Sequence, residues 1–262
     1  MKRPRLVARQ VVWSVRRRLR NLLVPSSSYG SEDDDFDWST YSEEYSAQLT
    51  AVEKSHTLRF QSGDLTFRDG LLQVASGELR PHLNHLLLYE TILMLQPESL
   101  LEAGCGAGDH LANLEVLLPS ATLTGVDRSV RQIELLRRRN PHLRSVTGVV
   151  DLTLPAPASL ECADLVYSQA VVMHIHTGKS HLVALSNMFR LARKQVVMIE
   201  NWNSHDYVAD IRKLQEFGIT GWSSIYYYVR RKSRETEKAS ALVVSLKPLQ
   251  LEEVPHDRPF LG

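Results

Sequence analysis

The sequence predicts an α/β fold: an open, mostly parallel sheet with helices on both faces. Three observations lead there. A short apolar run at 99–101 meets an acid and then glycines at 104, 106 and 108, after which residues 109–118 take helical spacing. From 121 to 217 short β runs alternate with helical runs, the pattern of strand–helix–strand units that pair in parallel. Two β runs at 223–230 and 239–247 then follow one another with no helix between them, so the sheet should end in a hairpin.

Composition sets the bounds. A chain of 262 residues with 43% hydrophobic content can bury one full core and carry extensions at its ends. The two cysteines, Cys105 and Cys162, form neither a disulfide framework nor a metal-ligand spacing, which suits a reducing, cytoplasmic setting. No apolar run approaches the roughly 18 residues that span a bilayer. The net charge of +1 conceals an asymmetry, because residues 1–24 hold eight Lys/Arg and no acid. The rest of the chain is net acidic, which disfavours nucleic acid as a partner.

In chain order, Val7, Val11, Val12, Val15, Leu19 and Leu22 form an apolar stripe opposite Arg5, Arg9, Arg16 and Arg20, so residues 1–24 read as a basic amphipathic helix. Arg16-Arg17-Arg18 interrupts any secretory apolar core. A peripheral place on an anionic inner-membrane surface fits the composition, and docking on the domain is the competing reading. Residues 25–37 are a serine-rich linker and an acidic run, and 38–95 an N-terminal helical lid or cap. Within it Trp38, Tyr41 and Tyr45 recur at helical spacing, 63–77 reads as a loop or short hairpin, and 81–95 as a helix whose His82 and His85 face solvent or packing.

The catalytic domain is expected over 96–247. Its second strand, 121–127, ends in Asp127, and the helix at 129–139 turns Val130, Ile133 and Leu136 to the sheet, with Arg137, Arg138 and Arg139 as a solvated end suited to the helix dipole. The third strand, 143–150, closes in Asp151-Leu152, and the fourth, 163–168, opens into a loop reaching His176. A helix at 178–192, a fifth strand at 195–201, a helix at 206–217, the hairpin and a polar tail at 248–262 complete the chain.

Glycines at 104, 106 and 108 remove Cβ atoms, so the turn can take positive φ and bring backbone N–H groups against a ligand. A dinucleotide fingerprint on this register needs Gly or Ala at 109, where Asp109 stands, and no lysine follows for a Walker A loop. Asp127, about twenty residues further on, sits where a carboxylate accepts the hydroxyls of a ribose.

Glu102-x-Gly104-x-Gly106-x-Gly108 resembles the first motif of class I S-adenosylmethionine (SAM) dependent methyltransferases, and Asp164-x-x-x-Ser168 followed by Gln169 to Ile175 resembles their fourth. The resemblance covers 96–247 and implies a Rossmann-like, seven-stranded sheet with its last strand antiparallel. It implies SAM as cofactor, held by Glu102, Gly104, Cys105, Gly106, Gly108, Asp127, Arg128, Asp151, Leu152, Ser168 and Gln169. It also implies that a helix carrying Trp38, Tyr41 and Tyr45 closes over cofactor and substrate, with packing of these rings on the core as the alternative.

The SAM sulfonium is already an electrophile, so the protein must position a nucleophile and, for a hydroxyl, remove its proton. The expected base is His174, with His176 second, since imidazole titrates near neutrality and both lie beside the expected methyl position. Glu200, Asn201, Trp202 and His205 should border the acceptor, read as a hydroxyl of a small molecule or cell-envelope glycan. Glu200, His205, Asp206 and His174 offer hard ligands, but no spacing dictates a metal and none is expected. A SAM-binding partner protein without transfer activity, and another nucleotide enzyme on this fold, are the competing readings.

Overall fold

The computed structural model describes residues 58–75 and 79–254. The basic helix, the linker and the aromatic trio Trp38, Tyr41 and Tyr45 lie outside the described residues.

A hairpin opens the described chain: β1 (Leu65–Arg68) pairs antiparallel with β2 (Leu71–Val74). Then come α1 (Leu83–Leu95), β3 (Ser99–Ala103), α2 (Asp109–Leu117), β4 (Thr122–Asp127), α3 (Val130–Arg139) and β5 (Val146–Val149). They are followed by β6 (Ala163–Gln169), a 3-10 turn (Val172–His174), α4 (Ser180–Leu191), β7 (Ala192–Ile199) and α5 (Tyr207–Glu216). The hairpin β8 (Tyr226–Arg234) and β9 (Glu237–Ser245) ends in a two-residue β10 (Glu252–Glu253).

The large sheet runs β10-β8-β9-β7-β6-β3-β4-β5. Strands β3 to β7 pair in parallel, and β9 enters antiparallel between β7 and β8. The seven expected strands are therefore present in a Rossmann-like arrangement, and the stretch read as a tail adds an eighth through Glu252 and Glu253.

Alternation along the strands builds two cores. Leu100, Leu165, Val197 and Val243 face one side, against α1, Leu111 and Leu114 of α2 and Ile133 and Leu136 of α3. Their neighbours Leu101, Val166, Val196 and Val244 face the other, against Leu185, Met188 and Phe189 of α4 and Ile211 and Leu214 of α5. Helix α1 belongs to this layered core rather than to a cap: Leu86 to Thr91 are buried along it. Its buried Glu90 accepts from Leu72 N and pairs with Lys232 Nζ at 2.6 Å, which ties the small hairpin and β8 to it.

Two expectations for α3 change. Its buried arc runs through Gln132, Ile133, Leu135 and Leu136. At 100° per residue Val130 falls on the opposite side, and it is 56% exposed. Arg139 is not a solvated end, since its guanidinium grips both oxygens of Asp109 at 3.2 and 2.9 Å and staples α3 to the start of α2.

Candidate active site

Four strands deliver their carboxyl ends to one cavity of about 220 Å³. It lies at the point where strand order reverses, with β3 flanked by β4 on one side and β6 on the other, where open α/β sheets bind ligands. Glu102, Gly104, Cys105, Gly106 and Ala107 line it from the first strand and its turn, and Asp127 and Arg128 from the second. Val150, Asp151, Leu152 and Thr153 follow the third, and Gln169, Ala170, Val171 and Ile175 the fourth.

The glycine turn is folded back on the next strand, with Gly104 N and Cys105 N both donating to Val126 O at 2.8 and 2.9 Å. Gly104 has φ +76°, and a Cβ there would lie 2.5 Å from Val171 Cγ2. Glycine is needed on both counts: the left-handed backbone, and the approach of the fourth-strand loop.

Asp127 joins the two walls. Its Oδ2 accepts from Gly106 N at 2.9 Å and its Oδ1 from Ser129 N at 2.8 Å, so the acid that ends β4 also holds the glycine turn. Burial raises its carboxyl above the usual range, and those two N–H groups act in the opposite sense. Each oxygen keeps a second lone pair for a ribose hydroxyl. Asp151 lines the same end while its Oδ1 accepts from Thr153 N and Oγ1.

Glu102, near the end of β3, lines the cavity as well. Burial pushes its carboxyl well up, helped by the nearby acids Asp109 and Asp127. Its carboxyl interacts with the buried Tyr167 phenol, and its Oε2 makes no further hydrogen bond among the described residues. Such an atom is costly unless a ligand completes it, and the ammonium of an amino acid is its natural complement. A cavity walled by the Asp127 carboxyl, with lone pairs to spare, and by the buried Glu102 carboxyl fits SAM.

Residues 100–195 match the family described as a methyltransferase domain. The chain carries a methyltransferase domain over this stretch. It is also similar to solved structures. One is magnesium protoporphyrin IX methyltransferase from Synechocystis with bound SAM, at 20% identity over 60% of this chain and 76% of that one, TM-score 0.46. Another is the N-methyltransferase NodS of Bradyrhizobium japonicum with S-adenosylhomocysteine, at 18% identity over 60% and 85%, TM-score 0.44. No curated protein matches the chain.

Of the residues expected to touch the cofactor, Ser168 is a correction. It is fully buried and donates its hydroxyl to Glu200 Oε1 at 2.7 Å, because the pleat turns it away from the cavity that Gln169 lines. Asp164, at the start of β6, is at the far end of the strand. It accepts from Glu98 N and pairs with Arg193 and Lys194.

The expected bases are not in the cavity wall. His174 closes the 3-10 turn half-buried, its imidazole lowered by burial and by His176, and neither it nor the exposed His176 lines the cavity. His176 approaches a separate group in which His205 stacks on His181 at 4.2 Å and His181 meets Asp210 at 3.3 Å. Among the described residues no group of three or more His, Cys, Asp and Glu is arranged to hold a metal ion.

Glu200 and His205 also differ from expectation. The Glu200 oxygens accept from Ser168 Oγ, Val171 N and Met173 N, which makes Glu200 the floor of the loop after β6. Burial pushes its carboxyl up to about 7. His205 bonds the Val172 backbone from the other side. Asn201 and Trp202 do border an opening, a second cavity of about 270 Å³ shared with Asn84, Asn203, Lys238 and Ser240. The two cavities share a wall: Val171 lines the first and hangs from Glu200 of the second, and Asn84 and His85 are consecutive in α1.

Sequence reasoning missed His85 and His110. Both line the cofactor cavity, buried and edge-to-face with ring centroids 4.6 Å apart. His110 carried a signal, since it follows the glycine turn at the start of a helix. His85 carried none, because α1 is buried nearly all round and no polar face marks the cavity side.

Proposed function

We propose that this methyltransferase acts on a hydroxyl of a polar small molecule or glycan held in the second cavity. The observation that carries the reading is the chemistry of that cavity's wall. Three carboxamides, Asn84, Asn201 and Asn203, stand with Ser240, Lys238 and the indole of Trp202. Carboxamides both donate and accept, which suits hydroxyl-rich ligands, and an indole face offers an apolar platform beside them. SAM bound in the first cavity supplies the electrophilic methyl.

The chain's own residues orient and deprotonate. The loop at 169–175 separates the two ligands, held in place by Glu200 and His205. Of the imidazoles in the cofactor cavity wall, His85 stands on α1 next to Asn84 of the second cavity, between the two ligands, so we assign proton removal to it. In this reading residues 1–24 bring the enzyme to an anionic cytoplasmic membrane surface, where lipid-linked acceptors reside; deleting them should abolish co-sedimentation with anionic liposomes.

A labelled-methyl assay tests the acceptor class, with a panel of free glycans, small polyols and phenols, peptides and nucleic acids. Label on a hydroxyl of a glycan or small molecule is expected, and label on a peptide amine or a nucleobase would overturn it. In the same assay His85→Asn should lower turnover about 10²-fold or more while leaving SAM affinity within a few-fold. His174→Ala should keep most of the turnover.

A further inference from the structure

A buried chain of hydrogen bonds runs from the backbone at residues 58–60 to the cofactor cavity. Phe60 N donates to Asn113 Oδ1 at 3.0 Å, and Asn113 Nδ2 donates to Leu58 O at 2.9 Å and to Tyr89 Oη at 3.0 Å. Tyr89 Oη meets His110 Nδ1 at 2.8 Å, and His110 Nε2 meets Gln169 Oε1 at 2.7 Å. Asn113, Tyr89 and His110 are all buried, and Gln169 lines the cavity.

The direction of donation along this chain is fixed at its outer end. A backbone N–H can only donate and a backbone C=O can only accept, so Phe60 and Leu58 together set which way the Asn113 carboxamide points. Its Nδ2–H then donates to Tyr89, whose phenol, kept protonated by burial, must pass its own hydrogen to His110 Nδ1. The neutral imidazole therefore carries its hydrogen on Nε2 and donates to Gln169 Oε1.

We propose that Gln169 is a specificity-determining residue that offers its amide N–H₂ to the cavity as a donor for an oxygen lone pair, and that segment 58–60 sets this polarity through Asn113, Tyr89 and His110. The oxygen belongs either to the cofactor's carboxylate or to the acceptor. If segment 58–60 withdraws, Asn113 can turn, every bond in the chain reverses, and Gln169 shows its carbonyl to the cavity instead. Residues that precede the domain thus reach the ligand through four side chains without touching it. The proposal rests on the first cavity being the cofactor site.

The test is the tautomer of His110, read by ¹⁵N NMR of imidazole-labelled full-length protein, with binding of S-adenosylhomocysteine as a separate control on the site. Wild type should show the Nε2–H form. Asn113→Asp, which can only accept, should switch it to Nδ1–H. Tyr89→Phe breaks the chain and should give a mixture even where Asn113→Asp fails to fold. An Nδ1–H wild type, or an unchanged pure Nε2–H form in either variant, overturns the proposal. Gln169→Leu then separates the two ligands: a loss of about tenfold in S-adenosylhomocysteine affinity assigns the donor to the cofactor, and unchanged affinity assigns it to the acceptor. Failure of the wild type to bind S-adenosylhomocysteine would instead remove the cofactor site itself.

Discussion

The loop at 104–108 and the loop at 169–175 face each other across one cavity and are built in different ways. The first is shaped by its own backbone, with glycines at positive φ and N–H groups folded onto Val126 O and Asp127. The second has Ala170 at φ 54° and is held from outside, by Glu200 beneath it and His205 behind it. A loop of the first kind fails through its own residues, and one of the second kind fails through distant ones.

The sharpest way to break this contrast is Gly104→Val. The side chain adds left-handed strain to an overlap with Val171, about 3 kcal/mol together, and binding of S-adenosylhomocysteine by calorimetry should be lost. Gly106 tests the same loop where there is room, since a Cβ there would come no nearer than 3.7 Å to Gln132 Oε1. Gly106→Ala should cost about 1–2 kcal/mol of strain in a denaturant melt. Equal losses at the two glycines would mean that the backbone conformation alone, and not the approach of the opposite loop, decides the turn.

For the second loop Glu200→Ala is the corresponding change. It strands Ser168 Oγ and the N–H groups of Val171 and Met173, and should cost about 3 kcal/mol while faster hydrogen exchange appears at 171–175. Glu200→Gln keeps an oxygen for the N–H groups and an amide for Ser168, and should lose far less.

Glu200 also gives a pH signature. Its carboxyl moves from 4.5 to about 7 on folding, so between these values the native state holds the proton more tightly than the unfolded chain. The stability this proton contributes is full below pH 4.5, declines as pH rises to about 7 and is absent above. Melts across that window should show the decline in wild type and a flatter profile in Glu200→Gln.

The smallest effect expected is at the seam between α2 and α3. Arg139→Ala removes the grip on Asp109, which keeps Arg59 at 3.1 Å, so stability should fall by about 1 kcal/mol with little change in cofactor affinity.

The strands, the helices between them and the glycine turn follow from local pattern, because hydrophobic periodicity and glycine spacing act over a few residues. Glu102, Gly104 and Asp127 were legible for that reason: each sits at the end of a strand whose own sequence announces it. Chain position could also place His174 near the fourth strand, but not say which way its ring turns. That depends on a pleat that buries Ser168, on a carboxylate more than twenty residues later in the chain and on a stacked histidine. His85 came into the wall through the packing of α1 on the sheet, and Gln169 took its polarity from backbone groups at 58 and 60. By itself the sequence determined the sheet, its glycine turn and the acid at the end of β4 that lines the cavity. Tertiary structure decided which imidazoles line the cavity, because side-chain direction and hydrogen-bond polarity are set by partners that no local stretch of chain contains.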